Sequence, residues 1–298
     1  MPQWKVHEIV LRLKTPLHSG ASEWGNLLVT NPFLPARALW GALTAFLTRV
    51  TQSSPTNKDY QDTGNYVQES LAFTYFFPCL KSVQTYTCYF PWESKKEEVP
   101  FHARFIGSYV STALQGTQKA AEEASLHEIE FLSPFTRDGT DKPVYLMGYI
   151  FSQANSSNDK LSERVADILS DPSHDFWRNA QFGAERSYGW GRVECISINN
   201  HSETCWDTYE IQLTGKRPTL KIPKNHPIPA PLIFHPDIAS KISGHAQPLV
   251  RRAWGTHPGE KIAFDGMAYA IGAALRETCT LQISQLGYLE YPNAHSSK

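Results

Sequence analysis

Cysteine pairs at metal-ligand spacing are missing from this chain: its five cysteines, Cys79, Cys88, Cys195, Cys205 and Cys279, include no C-x-x-C. That excludes a cysteine-built zinc site, and the odd number argues against a disulfide framework. Buried free thiols are the expectation. Long apolar runs are missing too. No window approaches about eighteen uninterrupted apolar residues. Met1-Pro2-Gln3-Trp4-Lys5 lacks the apolar stretch of an export signal, so neither secretion nor membrane spanning is expected, and the cytoplasm is the expected location. An excess of one charge is also lacking, since 28 Lys and Arg stand against 29 Asp and Glu, a net of −1. A bulk field would not draw nucleic acid to such a molecule, so any such contact has to be local. The scattered histidines form no H-x-x-x-H, and there is no G-x-S-x-G elbow, P-loop or kinase set; no cofactor and no metal site are expected.

What is present is a run of unusual composition, Phe182-Gly183-Ala184-Glu185-Arg186-Ser187-Tyr188-Gly189-Trp190-Gly191-Arg192-Val193. Gly183, Gly189 and Gly191 free the backbone for positive φ and for close approach to a ligand. Arg186 and Arg192 suit phosphates, Tyr188 and Trp190 suit splayed bases, and Ser187 adds a hydroxyl. The run leads into an alternating segment, Val193 to Ile198, instead of opening a helix, so it is no dinucleotide fingerprint. The residues alone leave a second reading open, a hairpin whose aromatics pack on a sheet. Further basic candidates lie downstream at Lys216-Arg217, Lys221 with Lys224, and Arg251-Arg252.

With 41% hydrophobic residues the 298-residue chain can bury a sizeable core. Residues 4–14 alternate as a strand with Ile9, Leu11 and Leu13 on one face and Arg12 and Lys14 on the other. Thr15 to Asn31 reads as an irregular loop holding His18, Glu23 and Trp24. Pro35 then opens a helix with an apolar face of Leu39, Ala42, Leu43, Phe46, Leu47 and Val50. Arg37 lies in its first turn, where a cation opposes the helix dipole and so has no stability reason to be there. Residues 51–65 read as an exposed loop, Leu71 to Phe77 as a buried aromatic run, and Val83 to Trp92 as an extended piece. Gly116 to Leu126 reads as a short helix or an insertion, 144–151 as a strand and 160–169 as a helix. This order fits α+β architecture with a split βαβ arrangement. Prolines 223, 227, 229, 231 and 236 mark a linker or extended crossover. The division is placed at 1–205, a larger domain with insertions, and 206–298, a smaller one packed on it, which can be read as a divergent copy of the same unit.

Three motifs in order carry a resemblance: Leu17-His18-Ser19-Gly20 after the first strand, then Phe33-Leu34-Pro35-Ala36-Arg37-Ala38-Leu39-Trp40-Gly41-Ala42-Leu43, then Glu185-Arg186-Ser187-Tyr188-Gly189-Trp190-Gly191-Arg192-Val193. Together they resemble the repeat-associated mystery protein (RAMP) superfamily of CRISPR subunits, departing from its helix motif at Ala36, Arg37, Ala38 and Trp40. The resemblance implies a ferredoxin-like, RNA-recognition-type βαββαβ domain that binds guide RNA beside other effector subunits and meets target nucleic acid only indirectly. The glycine run stands about a hundred residues before the end, farther than is usual in guide-processing members. Phe76-Phe77-Pro78, Tyr89-Phe90-Pro91-Trp92 and the tail from Arg251-Arg252-Ala253-Trp254-Gly255 to Gly266 and Gly272 look like the subunit capping the five-prime handle of the guide in type III complexes. That branch implies RNA binding by His18, Arg37, Gly183, Arg186, Ser187, Tyr188, Gly189, Trp190, Gly191, Arg192, Arg251 and Arg252, with no catalytic residue. Three alternatives stay open: a metal-independent endoribonuclease using His18 as general acid or base, a backbone subunit cutting target RNA through a loop acid such as Glu23, and a scaffold that meets only protein through Phe73, Tyr75, Phe76 and Phe77.

Overall fold

Apolar side chains alternate from Trp4 onward, and the first element is the strand β1 (Trp4–Leu13). The computed structural model describes residues 3–93, 98–113, 125–153, 160–200, 202–253 and 260–292. A hairpin of β2 (Gly20–Trp24) and β3 (Leu27–Thr30) follows, then the helices α1 (Ala36–Thr51) and α2 (Asn57–Ser70). Next come β4 (Leu71–Phe73), the hairpin β5 (Phe77–Ser82) and β6 (Thr85–Cys88), a short α3 (Phe101–Phe105), β7 (Ile106–Ser111) and β8 (His127–Leu132). The first part closes with β9 (Val144–Gln153), α4 (Lys160–Ile168), α5 (Asp175–Arg178) and β10 (Val193–Asn199).

The principal sheet runs β10-β1-β9-β5-β6, with β4 also on β9, and every pairing is antiparallel. β1, then helices, then β4 and β5, then β9, then helices, then β10 is the ferredoxin-like βαββαβ order, with the second strand broken in two. Leu39, Leu43 and Leu47 of α1, Val67 of α2, and Val165 and Ile168 of α4 are buried with the sheet in one core. Trp4, Val6 and Val10 are buried as well as Ile9, Leu11 and Leu13, so both faces of β1 are covered along most of its length. A separate sheet, β2-β3-β8-β7, stands beside the end of β1.

Three sequence expectations need correction. The polar run 51–65 is no loop: Thr56 caps α2, accepting from Asp59 N while the Asp59 carboxylate accepts from Thr56 N, a reciprocal box that starts a helix burying only Thr63, Gly64 and Val67. The loop at 15–31 contains the β2–β3 hairpin, whose first strand is exposed throughout and so lacks the alternation that marks a half-buried strand. And two cysteines are bonded: Cys79 and Cys88 face each other directly across β5 and β6 and form a disulfide, while Cys195, Cys205 and Cys279 are buried free thiols. Most of the segment from Gly116 to Leu126, with Trp254 and Gly255, lies outside the described residues.

The regular elements described in the rest of the chain are nearly all strands. β11 (Thr204–Cys205), β12 (Tyr209–Gln212), β13 (Thr219–Ile222) and β14 (Leu232–Ile233) lead to a four-residue helix, α6 (Pro236–Ala239). β15 (Ile242–Ser243), β16 (Ala246–Ala253), β17 (Lys261–Tyr269), β18 (Ala274–Leu275), β19 (Cys279–Ile283) and β20 (Leu289–Glu290) follow. Eight of these form one sheet, β11-β12-β13-β19-β20-β14-β17-β16, and β15 pairs with β18. The proline-rich stretch is not a free tether, because Ile222, Ile228, Ala230 and Leu232 are all buried. Several contacts join this sheet to the first, among them Trp4 N donating to Leu213 O (2.9 Å) and the contacts of Trp206 and Arg217. Trp206 donates its backbone N–H to the Tyr149 hydroxyl (2.9 Å) and its indole N–H to Met147 O (3.1 Å). Arg217 donates to Leu71 O (2.9 Å) and Gln68 O (2.7 Å), carbonyls at the end of α2, and lies over the Trp4 ring.

Arg217→Ala removes both charged hydrogen bonds and is expected to cost about 1.5–3 kcal/mol in urea unfolding. A second expectation concerns pH. His7 is buried, with Nδ1 beside Asn200 Oδ1 and Nε2 beside Ser152 Oγ, and burial holds its pKa below the ordinary value. The unfolded chain takes up the proton first, so the contribution of neutral His7 is complete above the unfolded pKa and is lost as pH falls through the folded one. The thermal midpoint should therefore drop between about pH 7 and pH 5, around the unperturbed histidine range, with a shallower slope for His7→Gln.

Candidate nucleic-acid interface

The glycine-rich run joins α5 to β10 and is pressed backbone to backbone against the segment that leaves β1. Ala184 N donates to His18 O (2.9 Å), Gly191 N to Pro16 O (2.6 Å), Lys14 N to Arg192 O (2.9 Å), and Phe182 N to Gly191 O (2.9 Å). The Thr15 hydroxyl donates to Gly189 O and accepts from Arg192 N, both at 2.9 Å. Gln181 Nε2 ties the turn internally, donating to Arg186 O and Trp190 O. At Gly183 (φ +81°) a Cβ would collide with His18 O, and at Gly191 (φ +76°) it would collide with Phe182 O. Gly189 is different: its φ of +84° needs glycine, but the space around it is open.

This packing turns one set of side chains outward. Arg186, Ser187 and Tyr188 form a single 3-10 turn and are exposed, Tyr188 to 80%. Arg192 is exposed at the start of β10. Among the described residues neither Arg186 nor Arg192 has an ion-pair partner; nearby Lys14 is bound to Glu194 at 3.0 Å. Trp190 turns inward, edge-on to Phe131 (5.2 Å) and Tyr109 (6.3 Å). It anchors the turn on the small sheet and leaves Tyr188 as the freely presented ring.

The remaining candidates are placed differently. His18 is only 6% exposed, its Nδ1 lies 2.7 Å from Glu130 O, and its carbonyl supports the turn. Arg37 is half-buried in the first turn of α1 and lines a cleft of about 510 Å³ with Asn31, Trp92, Pro248 and Tyr288. Arg251 is not free, since its Nε reaches both oxygens of Asp265 (2.9 and 2.7 Å) across the β16–β17 hairpin. Arg252 is exposed. Burial raises the pKa of Tyr288, with Arg37 and Arg251 both acting against that rise, so its phenol lies in the field of both guanidiniums. The structure thus gathers His18, Gly183 and residues 186–192 into one place and sets Arg37 and Arg251 elsewhere, in separate clefts on either side of Tyr288. Of the other basic candidates, Arg217 is occupied by α2 and Lys221 by Glu210 (2.8 Å).

No family model matches the chain, and no curated protein matches it by sequence. A chain from the cryo-EM structure of the Type III-B Cmr-beta bound to cognate target RNA and AMPPnP superposes with a TM-score of 0.51, over 90% of this chain and 86% of that one, at 10% identity. The two chains share a fold. Another chain, from the Type III-B Cmr-beta bound to cognate target RNA, matches 66% of this chain and 60% of its own at 14% identity, and its TM-score of 0.39 carries no weight.

Among the described residues, no group of three or more His, Cys, Asp or Glu is arranged to hold a metal ion, and no helix is long and apolar enough to cross a membrane. Phe73, Tyr75, Phe76 and Phe77 are all buried, which leaves no aromatic scaffold face there. Trp24, which the sequence places only in a loop, is 71% exposed on β2, and an isolated exposed aromatic has no periodicity to announce that. The glycines make a graded prediction. Gly189→Ala is expected to cost about 1–2 kcal/mol, the left-handed penalty alone. Gly191→Ala adds a backbone collision and should cost more than about 3 kcal/mol. Equilibrium denaturation of the two variants distinguishes them.

Proposed function

We propose that this chain is an RNA-binding subunit of a type III CRISPR effector ribonucleoprotein, gripping single-stranded guide RNA at its repeat-derived five-prime handle. The observation that carries the reading is the outward presentation of Arg186, Tyr188 and Arg192 on a turn fixed by backbone hydrogen bonds. A guanidinium without a carboxylate partner keeps its donors for phosphate, and an exposed phenol ring offers a face to an unstacked base. The fold shared with a chain of an RNA-bound Cmr-beta complex, and the order of the three motifs, agree with this reading. Guide RNA and neighbouring effector subunits are then the direct partners, and target nucleic acid an indirect one.

In this reading the chain breaks no bond. His18 acts through its backbone, holding the turn, and its buried ring favours positioning over proton transfer. Arg37 would contribute at its cleft and Arg251 at a separate one on the other side of Tyr288, where it would first have to leave Asp265, while Arg252 would contribute from the exposed face of β16.

The test is an electrophoretic mobility shift with repeat-derived single-stranded RNA. The Arg186→Ala/Arg192→Ala double variant should lose the RNA while its circular dichroism stays that of the wild type. For single strands each phosphate contact adds about 0.7 to the slope of log affinity against log salt, so the slope should shrink by about 1.4. Unchanged affinity and slope would remove the turn from the site.

A further inference from the structure

The principal sheet has one face under helices, and on the other face the row next to the glycine-rich turn is only partly covered. In register across five strands this row reads Glu194, Arg12, Tyr145, Cys79 and Cys88. Side chains alternate along a strand, so Lys14 and Arg192 fall on the same side at the turn end, and Lys81 and Tyr86 fall there beyond Cys79 and Cys88. Arg12, Tyr145 and Tyr86 are half-exposed, and Lys14, Lys81 and Arg192 exposed. The rings of Tyr86 and Tyr145 meet edge to face at 5.1 Å, and Lys81 Nζ lies 5.8 Å from the Tyr86 centroid. One row further the face disappears beneath Trp206. Four strand spacings make the row about 19 Å wide.

Charge and chemistry narrow what could lie there. Arg192, Lys14, Arg12 and Lys81 line the strip, and its acid, Glu194, is already held by Lys14. Glu93 and Asp207 border the cleft that Tyr86 itself lines together with Trp206, and would keep a phosphate chain to the cation-bearing side of that ring. Aromatic faces with cations on either side suit single-stranded nucleic acid, whose bases stack while its phosphates are neutralised. We propose that this strip holds unstacked bases of the same RNA strand that the glycine-rich turn grips, with Tyr145 and Tyr86 as the stacking rings and Arg12 and Lys81 on the flanking phosphates. The proposal rests on the RNA-binding reading above. The disulfide helps by pinning the β5–β6 hairpin that carries Tyr86 and Lys81 at the sheet edge.

The probe is a labelled single-stranded RNA of mixed sequence, with a duplex of the same sequence as comparison. Tyr86→Ala/Tyr145→Ala should weaken single-strand binding by at least about fivefold, the effect of one lost stack, while Tyr86→Phe/Tyr145→Phe stays within about twofold because phenyl rings stack too. Photocrosslinking of the wild-type protein, read by mass spectrometry, should label peptides containing Tyr86 or Tyr145 and needs no variant to fold. If the alanine pair binds like wild type, or crosslinks appear at Tyr188 but none on the strip, while Arg186→Ala/Arg192→Ala has lost the RNA, this proposal is overturned and the functional reading stands. If the arginine pair also binds normally, both fall.

Discussion

The contact on which this molecule's working surface depends is made of backbone. Residues 182–192 lie so close to Pro16, His18 and each other that no side chain fits at Gly183 or Gly191. Close approach satisfies the polar groups of an otherwise irregular segment, which would cost free energy if left unpaired beside a packed core. It also fixes direction. Because the inner edge of the turn is taken by hydrogen bonds and Trp190 by an aromatic slot, the charged and hydroxyl-bearing side chains have only the outside left to occupy.

The turn gains its rigidity from where it sits in the sheet order. β1 is interior, flanked by β9 and β10, and of the two chain segments that build the turn's contacts one leaves the C-terminal end of β1 and the other enters β10. The buried residues of both sheets form one continuous cluster from Trp4 to Leu289. Trp206 is its hinge of contact, touching Phe77, Phe90, Tyr149 and Tyr209 edge-on.

Elements with strong apolar content could be read from the chain: α1, α4 and β10 carry apolar residues at the period of their backbone, and β1 and β9, covered on both faces for most of their length, are apolar, strand-prone runs. Elements stabilised otherwise could not. α2 buries three small or medium residues and depends on a cap, and β2 buries none. The Cys79–Cys88 bond depends on register, which two cysteines nine apart do not reveal without knowing that a hairpin lies between them. At the candidate site the composition of the glycine run was informative, but the roles within it were not separable. Tyr188 and Trp190 look alike in sequence, and only the position of Phe131 decides that one ring is taken. Arg251 likewise cannot be told from Arg252 until strand pairing brings Asp265 against it.

Arg217 closes one helix and roofs one indole, and a guanidinium stays protonated throughout the pH range in which proteins live. The hold of Arg217 is thereby insulated from acidification, yet His7 lies only three residues along β1 from Trp4 and meets Ser152, the register partner of the Leu71 whose carbonyl Arg217 grips. One corner of the molecule thus couples a lasting clamp to a titrating neighbour, and mild acid should unsettle the strands behind the clamp while the clamp itself keeps its charge.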